Sequence, residues 1–189
     1  LKEHYLRADA KLEQKLERLL DRLEILLPKT EDEVDWSAAA FRWRRKQYLG
    51  MSYGVLEPIH RVALVDPDSI KNADQQKAAL LRNTEQFVRG LPANNVLLTG
   101  ARGTGKSSLI RACLKKFADQ GLRLIEVDKE DLKDLIDIAQ RIADRPEKFI
   151  VFCDDLYFEF GEGGYKALKA ILDGSVASTG DNLLVGPLR

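Results

Sequence analysis

The 189-residue chain has only two cysteines, Cys113 and Cys153, so no disulfide framework holds it together and a reducing compartment suits it. No apolar run approaches the ~20 residues that a membrane-spanning helix needs. The first residues lack the basic-then-apolar pattern of a secretory signal. An excess of charge of one sign is missing too: 30 basic side chains meet 30 acidic ones. That balance disfavours a surface that is cationic overall, though not a local basic patch. Internal repeats and low-complexity tracts are absent. His4 and His60 stand alone, without the spacing of a metal site. The apolar share, 44%, is ordinary for a globular core, and with zero net charge it excludes intrinsic disorder. The expected setting is cytoplasmic, with no membrane contact.

What is present falls into two halves. Tyr5, Ala8, Leu12, Leu16, Leu19, Leu23 and Leu26 recur at spacings of three and four, which predicts one amphipathic helix over residues 1–27, ended by Pro28. Its stripe suits either the body of the chain or a partner helix. A second helix is expected from Asp35 to near Gly50, carrying Trp36, Phe41, Trp43 and Tyr48 among Arg42, Arg44, Arg45 and Lys46. Basic residues mixed with aromatics can bind nucleic acid; they also describe a helix with an aromatic inner face and a solvated basic outer one. Residues 51–69 read as a partly packed linker, and Asp74 to Arg89 as a third helix stopped by Gly90. From Asn95 onward short apolar runs alternate with helical patterns. Strands are expected at 96–98, 122–127, 149–153 and 183–185, with helices after the first, at 130–143 and at 164–173. Strands separated by helices predict right-handed βαβ units and a parallel sheet covered on both faces.

Between the first strand and its helix lies Gly100-Ala101-Arg102-Gly103-Thr104-Gly105-Lys106-Ser107, which meets the phosphate-loop pattern G-x-x-x-x-G-K-[ST] at every fixed position. Average residue usage gives that pattern a chance of about one per cent or less in a chain this long. Strand before and helix after are the context it requires. The chemistry explains the residue types. Backbone N–H groups must approach phosphate oxygens, and side chains at Gly100, Gly103 and Gly105 would crowd that approach or forbid the backbone angles. The helix N-terminus adds N–H groups and partial positive charge. Lys106 adds a full charge near the β and γ phosphates, and the Ser107 hydroxyl is placed to ligate Mg²⁺. The nucleotide-cradling set is therefore Gly100 to Ser107 with the next residue, Ser108.

Phe149-Ile150-Val151-Phe152-Cys153-Asp154-Asp155 is an apolar strand that ends in two carboxylates. In such sheets ligands bind at the C-terminal ends of the strands. Asp154 would hold Mg²⁺, and Asp155 would orient or deprotonate an attacking water. Two adjacent carboxylates repel, and a cation relieves that repulsion. Alone they could simply cap a helix; downstream of a full phosphate loop they gain meaning. Cys113 and Cys153 fall on expected core faces. Asp128 ends a strand and could approach the site. Glu159 to Gly164 reads as an acidic, Gly-rich loop.

The run from Pro92 to Leu98, GARGTGKSSL, then Leu124-Ile125-Glu126-Val127-Asp128 and FCDDL together resemble the AAA+ ATPases, over roughly residues 65–185. The likeness is closest to a bacterial group of AAA+-type ATP-binding proteins with a helical N-terminal region. The paired Asp154-Asp155 is similar to the initiator and helicase-loader branch; most AAA+ proteins have Glu at the second position. The resemblance implies a P-loop α/β fold with strand order 5-1-4-3-2 and adenine packed near Ile70 to Ala73. It also implies a polar sensor, an arginine from a neighbouring subunit and a helical lid. No residues are assigned to the last three or to strand five, which leaves the first strand at a sheet edge. The chain is therefore read as part of a longer protein: a helical N-terminal region, residues 1–65, then an AAA+-like core, residues 66–189.

The function expected is that of an Mg²⁺-dependent ATP-binding protein, an ATPase that remodels or loads a macromolecular partner and is homo-oligomeric at full length. Lys106 and Asp155 are its expected catalytic residues, and Ser107 and Asp154 its metal ligands. One alternative is a nucleotide-gated binding module with little hydrolysis. Another is a small-molecule kinase on the same loop, disfavoured because no Arg-bearing lid is evident. ATP over GTP follows from the resemblance and from the lack of a guanine-reading N-K-x-D motif.

Overall fold

The computed structural model describes residues 14–22, 34–96, 98–99, 103–153, 166, 169 and 183–187. The chain divides into two units, Leu1–Val34 and Asp35–Arg189. In the first, residues 14–22 are helical, within the helix expected there. The rest of that helix lies outside the described residues, as do Glu159 to Gly164 and all but Lys166 and Lys169 of the helix expected at 164–173.

The second unit is built on a five-stranded sheet of order β2-β1-β3-β4-β5. Its strands are β1 (Ala40–Tyr48), β2 (Met51–Pro58), β3 (Leu122–Glu126), β4 (Lys148–Cys153) and β5 (Leu183–Pro187). β1, β3, β4 and β5 run parallel, and β2 joins β1 antiparallel. The helices α1 (Asp74–Val88), α2 (Lys106–Phe117) and α3 (Leu135–Ile142) accompany them. Short 3-10 turns precede α1 at Pro67–Ser69 and α3 at Lys129–Asp134. Leu80, Phe87, Ile110, Leu114 and Phe117 of α1 and α2 pack on one face of the sheet against Leu122, Leu124, Ile150, Phe152 and Leu184. The intervening residues Ile125, Phe149 and Val151 face the other way, as the two-residue period of a strand requires. On that side Arg141 of α3 lies over the Trp43 ring at 5.3 Å. Strands buried on both faces read as continuous apolar runs, which is why β4 was legible from its composition.

The helix expected over 35–50 is instead the first strand of a hairpin, and the expected linker at 51–69 begins with the second. Burial explains the difference. Phe41 and Trp43 are buried while Arg42 between them and Arg44 after them are half-buried, an alternation with period two rather than 3.6. Gly50 does not stop a helix; with Leu49 it forms a two-residue turn between Tyr48 and Met51, which pair directly. Both turn residues have positive φ, 47° at Leu49 and 79° at Gly50, as a type I′ hairpin turn demands. Residues 40–58 therefore extend the sheet next to β3 and do not belong to a helical region.

Leucine is a poor choice at that turn. Its Cβ is strained in the left-handed region, and Leu49 is 81% exposed, so burial returns nothing. Leu49→Asn is expected to stabilise the protein by about 1 kcal/mol, because asparagine tolerates this conformation and no apolar contact is lost. Urea unfolding should show a higher midpoint at unchanged slope.

Apart from the strand expected at 96–98 and the helix expected at 164–173, the other elements lie within a few residues of their expected places. α1 ends at Val88 with Gly90 at φ 72°, and Gly121, at φ 92°, closes the turn after α2. The strand expected at 96–98 is described only at Val96 and Leu98. Leu98 forms a single bridge, the Val96 N–H donates to the Val185 carbonyl at 3.1 Å, and Leu97 lies outside the described residues.

Candidate nucleotide site

α2 starts at Lys106, the lysine of the phosphate-loop pattern, with Gly105 as its N-cap. Gly105 has φ 85° and Gly103 φ 84°. A Cβ built at either position meets nothing within 4 Å, so these glycines are required by their backbone angles rather than by crowding within the chain. The first turn of α2 holds no acidic residue and no side-chain cap. The positive end of the helix dipole there would favour an anion. Lys106 is only 8% exposed. Ser107 and Ser108 follow in the same turn, half-buried, and Thr104 precedes them, exposed. A left-handed glycine cap, a buried ammonium and hydroxyls in the first turn form a donor set that fits a polyphosphate.

The other half of the expected site is only partly in view. Gly100, Ala101, Arg102, Asp154 and Asp155 lie outside the described residues. β4 carries the chain up to Cys153, in register with Pro187 of β5 and flanked by Val127, whose N–H donates to the Phe152 carbonyl at 3.0 Å. The residues just before the phosphate loop meet Val185 of β5, which pairs with Val151 of β4. Of the segment expected near an adenine, Ile70 packs against the α1/α2 core and Asn72 is left-handed at φ 59°. The Lys77 ammonium donates to the Ile70 carbonyl at 3.2 Å. No cluster of three or more metal-ligating side chains occurs among the described residues.

The basic patch takes a different form from the one expected. Arg42 pairs with Glu126 at 2.7 Å, Arg44 with Asp128, Arg45 with Asp134 at 3.2 Å and Lys46 with Glu57 at 2.7 Å. The hydrogen bond to Glu126 raises the Arg42 pKa above its ordinary value. Each cation thus has an acid from a neighbouring element, and Asp128 is engaged there rather than at the phosphate loop. Sequence spacing could not show this, because the acids come from β2, β3 and the turn before α3. Burial, with Asp134 and Asp128 nearby, raises the Asp131 carboxyl. Cys113 is fully buried; desolvation pushes its thiol up to about 11, which makes it an inert core group.

Asn95 and Val96, held against β5, place the segment before the loop beside β5, β4 and β3, an order that runs 1-4-3-2 in AAA+ terms, with the hairpin added beyond β3. Together with the glycine-capped α2, this defines an AAA+-like P-loop α/β protein. The chain belongs to the family described as "Protein of unknown function (DUF815)", which matches residues 36–186. It is 28% identical over 110 residues to the replication factor C large subunit of Sulfolobus acidocaldarius, covering 55% of this chain and 25% of that protein. The chain thus spans about a quarter of that relative's length. Among solved structures it is similar to the Thermotoga maritima RuvB Holliday junction branch migration motor. There the TM-score is 0.40 at 19% identity, over 63% of this chain and 39% of that one.

No helix among the described residues is long and apolar enough to cross a membrane.

Proposed function

We propose that the protein binds Mg²⁺-ATP and hydrolyses it to drive the remodelling or loading of a macromolecular partner. The observation that carries this reading is the buried Lys106 at the first position of a helix capped by a left-handed glycine. The N–H groups at the start of α2 would hold the β and γ phosphates, and Lys106 would neutralise their charge. Ser107 and Asp154 would hold Mg²⁺, which when bound supplies further charge neutralisation on those phosphates. Asp155 would accept the proton of a water whose oxygen bonds to the γ phosphorus as the bridge to the β phosphate breaks. The likeness to a replication factor C subunit supports a partner that is a macromolecule rather than a small acceptor. Homo-oligomerisation at full length and a cytoplasmic setting belong to the same proposal. The paired state of Arg42, Arg44, Arg45 and Lys46 gives a nucleic-acid partner no unanswered charge at that patch.

Calorimetric titration with ATP and Mg²⁺ tests binding, and phosphate release tests turnover. Asp155→Asn is expected to leave the Kd for ATP within about threefold of wild type while lowering kcat by about 10²-fold or more, the range for loss of a general base. Equal loss of binding and turnover in that variant would assign Asp155 to the binding of nucleotide rather than to water activation.

A further inference from the structure

Three side-chain amide contacts converge on the chain just before the phosphate loop. Asn83 of α1 makes a two-way pair with Asn94. Its Nδ2 donates to the Asn94 carbonyl at 2.8 Å and its Oδ1 accepts the Asn94 N–H at 2.9 Å. Asn95 reaches the other way, its Oδ1 accepting the Val185 N–H of β5 at 2.9 Å. Beyond these, the segment has the Val96 N–H on the Val185 carbonyl and the single bridge at Leu98. Side-chain amides thus add to the backbone contacts of this segment among the described residues. Thr84, the residue after Asn83, is fully buried; its hydroxyl donates to the Leu80 carbonyl at 2.9 Å and lies 3.6 Å from Sγ of Cys113 on α2.

We infer that Asn83 and Asn95 are positioning residues of the nucleotide site. Asn83 ties α1 to Asn94, upstream of the loop, while α1 packs with α2, downstream of it, in one apolar core. Through Asn95, the same upstream segment is registered on β5, two residues before the position that faces Cys153. The start of α2 and Lys106 are thereby held in one place relative to the end of β4. Binding a polyphosphate through several backbone N–H groups depends on such placement to within about half an ångström. The inference rests on the nucleotide reading above.

The atoms used set the test. Removing both amides in Asn83→Ala/Asn95→Ala is expected to raise the Kd for Mg²⁺-ATP about tenfold, measured where circular dichroism shows the variant fully folded. Asn95→Asp keeps the acceptor for the Val185 N–H and is expected to bind ATP as wild type does. Asn83→Asp loses the donor, sets a carboxylate against the Asn94 carbonyl and is expected to bind as weakly as Asn83→Ala. Inorganic tripolyphosphate should weaken in parallel with ATP, since the loss lies at the phosphates; a merely structural role would move the melting temperature and leave both affinities unchanged below it. Wild-type affinity in the folded double variant, with Lys106→Ala still unable to bind, overturns the positioning role and leaves the nucleotide reading intact. Asn95→Asp binding as weakly as Asn95→Ala overturns it as well. Absence of ATP binding by the wild-type chain overturns the nucleotide reading and this inference together.

Discussion

Lys106→Ala is expected to weaken ATP binding by about 100-fold or more, because a hydrogen-bonded charge on a phosphate, in a partly dehydrated site, is worth roughly 3 kcal/mol. The position makes the loss hard to compensate. Lys106 opens α2 and is 8% exposed, so water replaces its ammonium poorly. No other basic residue stands in the first turn of that helix; Lys115 and Lys116 lie in its last turn. Thermal unfolding offers a second measure. A ligand at 100 times its Kd stabilises the folded state by about 2.7 kcal/mol, so wild type should melt higher in saturating ATP and the variant should not. Equal ATP-dependent shifts in the two proteins would remove Lys106 from the site. The unliganded melting temperature of the variant is the control that it folds.

Gly54→Ala is expected to destabilise the protein by about 3 kcal/mol, through overpacking and the loss of a buried hydrogen bond. Gly54 lies on β2, opposite Arg45 of β1, with Trp43 on the adjacent diagonal. A Cβ at Gly54 would sit 1.9 Å from Cζ2 of Trp43. The indole has no room to retreat: it is 1% exposed and lies under Arg141. Its Nε1–H donates at 3.0 Å to Oδ2 of Asp134, a carboxylate that is itself 5% exposed. Moving the ring takes the donor from Asp134 and leaves that carboxylate to Arg45 alone. For a unit of this size the melting temperature should fall by about 10 °C. A double-mutant cycle with Trp43→Leu decides the cause, since the smaller side chain makes room for the methyl. Strong coupling between the two sites is expected, and simple additivity would show that the clash is not what destabilises Gly54→Ala.

Gly103, Gly105 and the helix that follows them were legible because their constraints are local. Gly103 and Gly105 adopt angles that only glycine accepts easily, and Lys106 and Ser107 follow within one turn. β4 was legible because a strand covered on both faces is apolar throughout. The hairpin was not, although residues 41–46 alternate aromatic and basic over their first half. Arg45 and Lys46 follow Arg44 without alternation and restore a helix-like appearance, and Gly50 serves a helix stop and a hairpin turn equally well. In the sequence Asn94 and Asn95 counted only as part of the run before the loop, and nothing there showed their partners. Asn83, Asn94 and Asn95 read as an ordinary exposed helix position and an ordinary loop.

By itself the sequence determined a neutral chain without disulfides, a glycine-capped phosphate-loop helix, and a set of parallel strands alternating with helices. These follow from composition, from backbone angles and from periodicity, each a property of neighbouring residues. Only the tertiary structure decided which acids answer Arg42, Arg44, Arg45 and Lys46, that β1 and β2 extend the sheet beyond β3, and that Asn83 and Asn95 tie the start of the phosphate loop to α1 and β5. Those contacts join residues 11 to 90 positions apart, and pairings at such separations are set by how the chain packs, which no local pattern encodes.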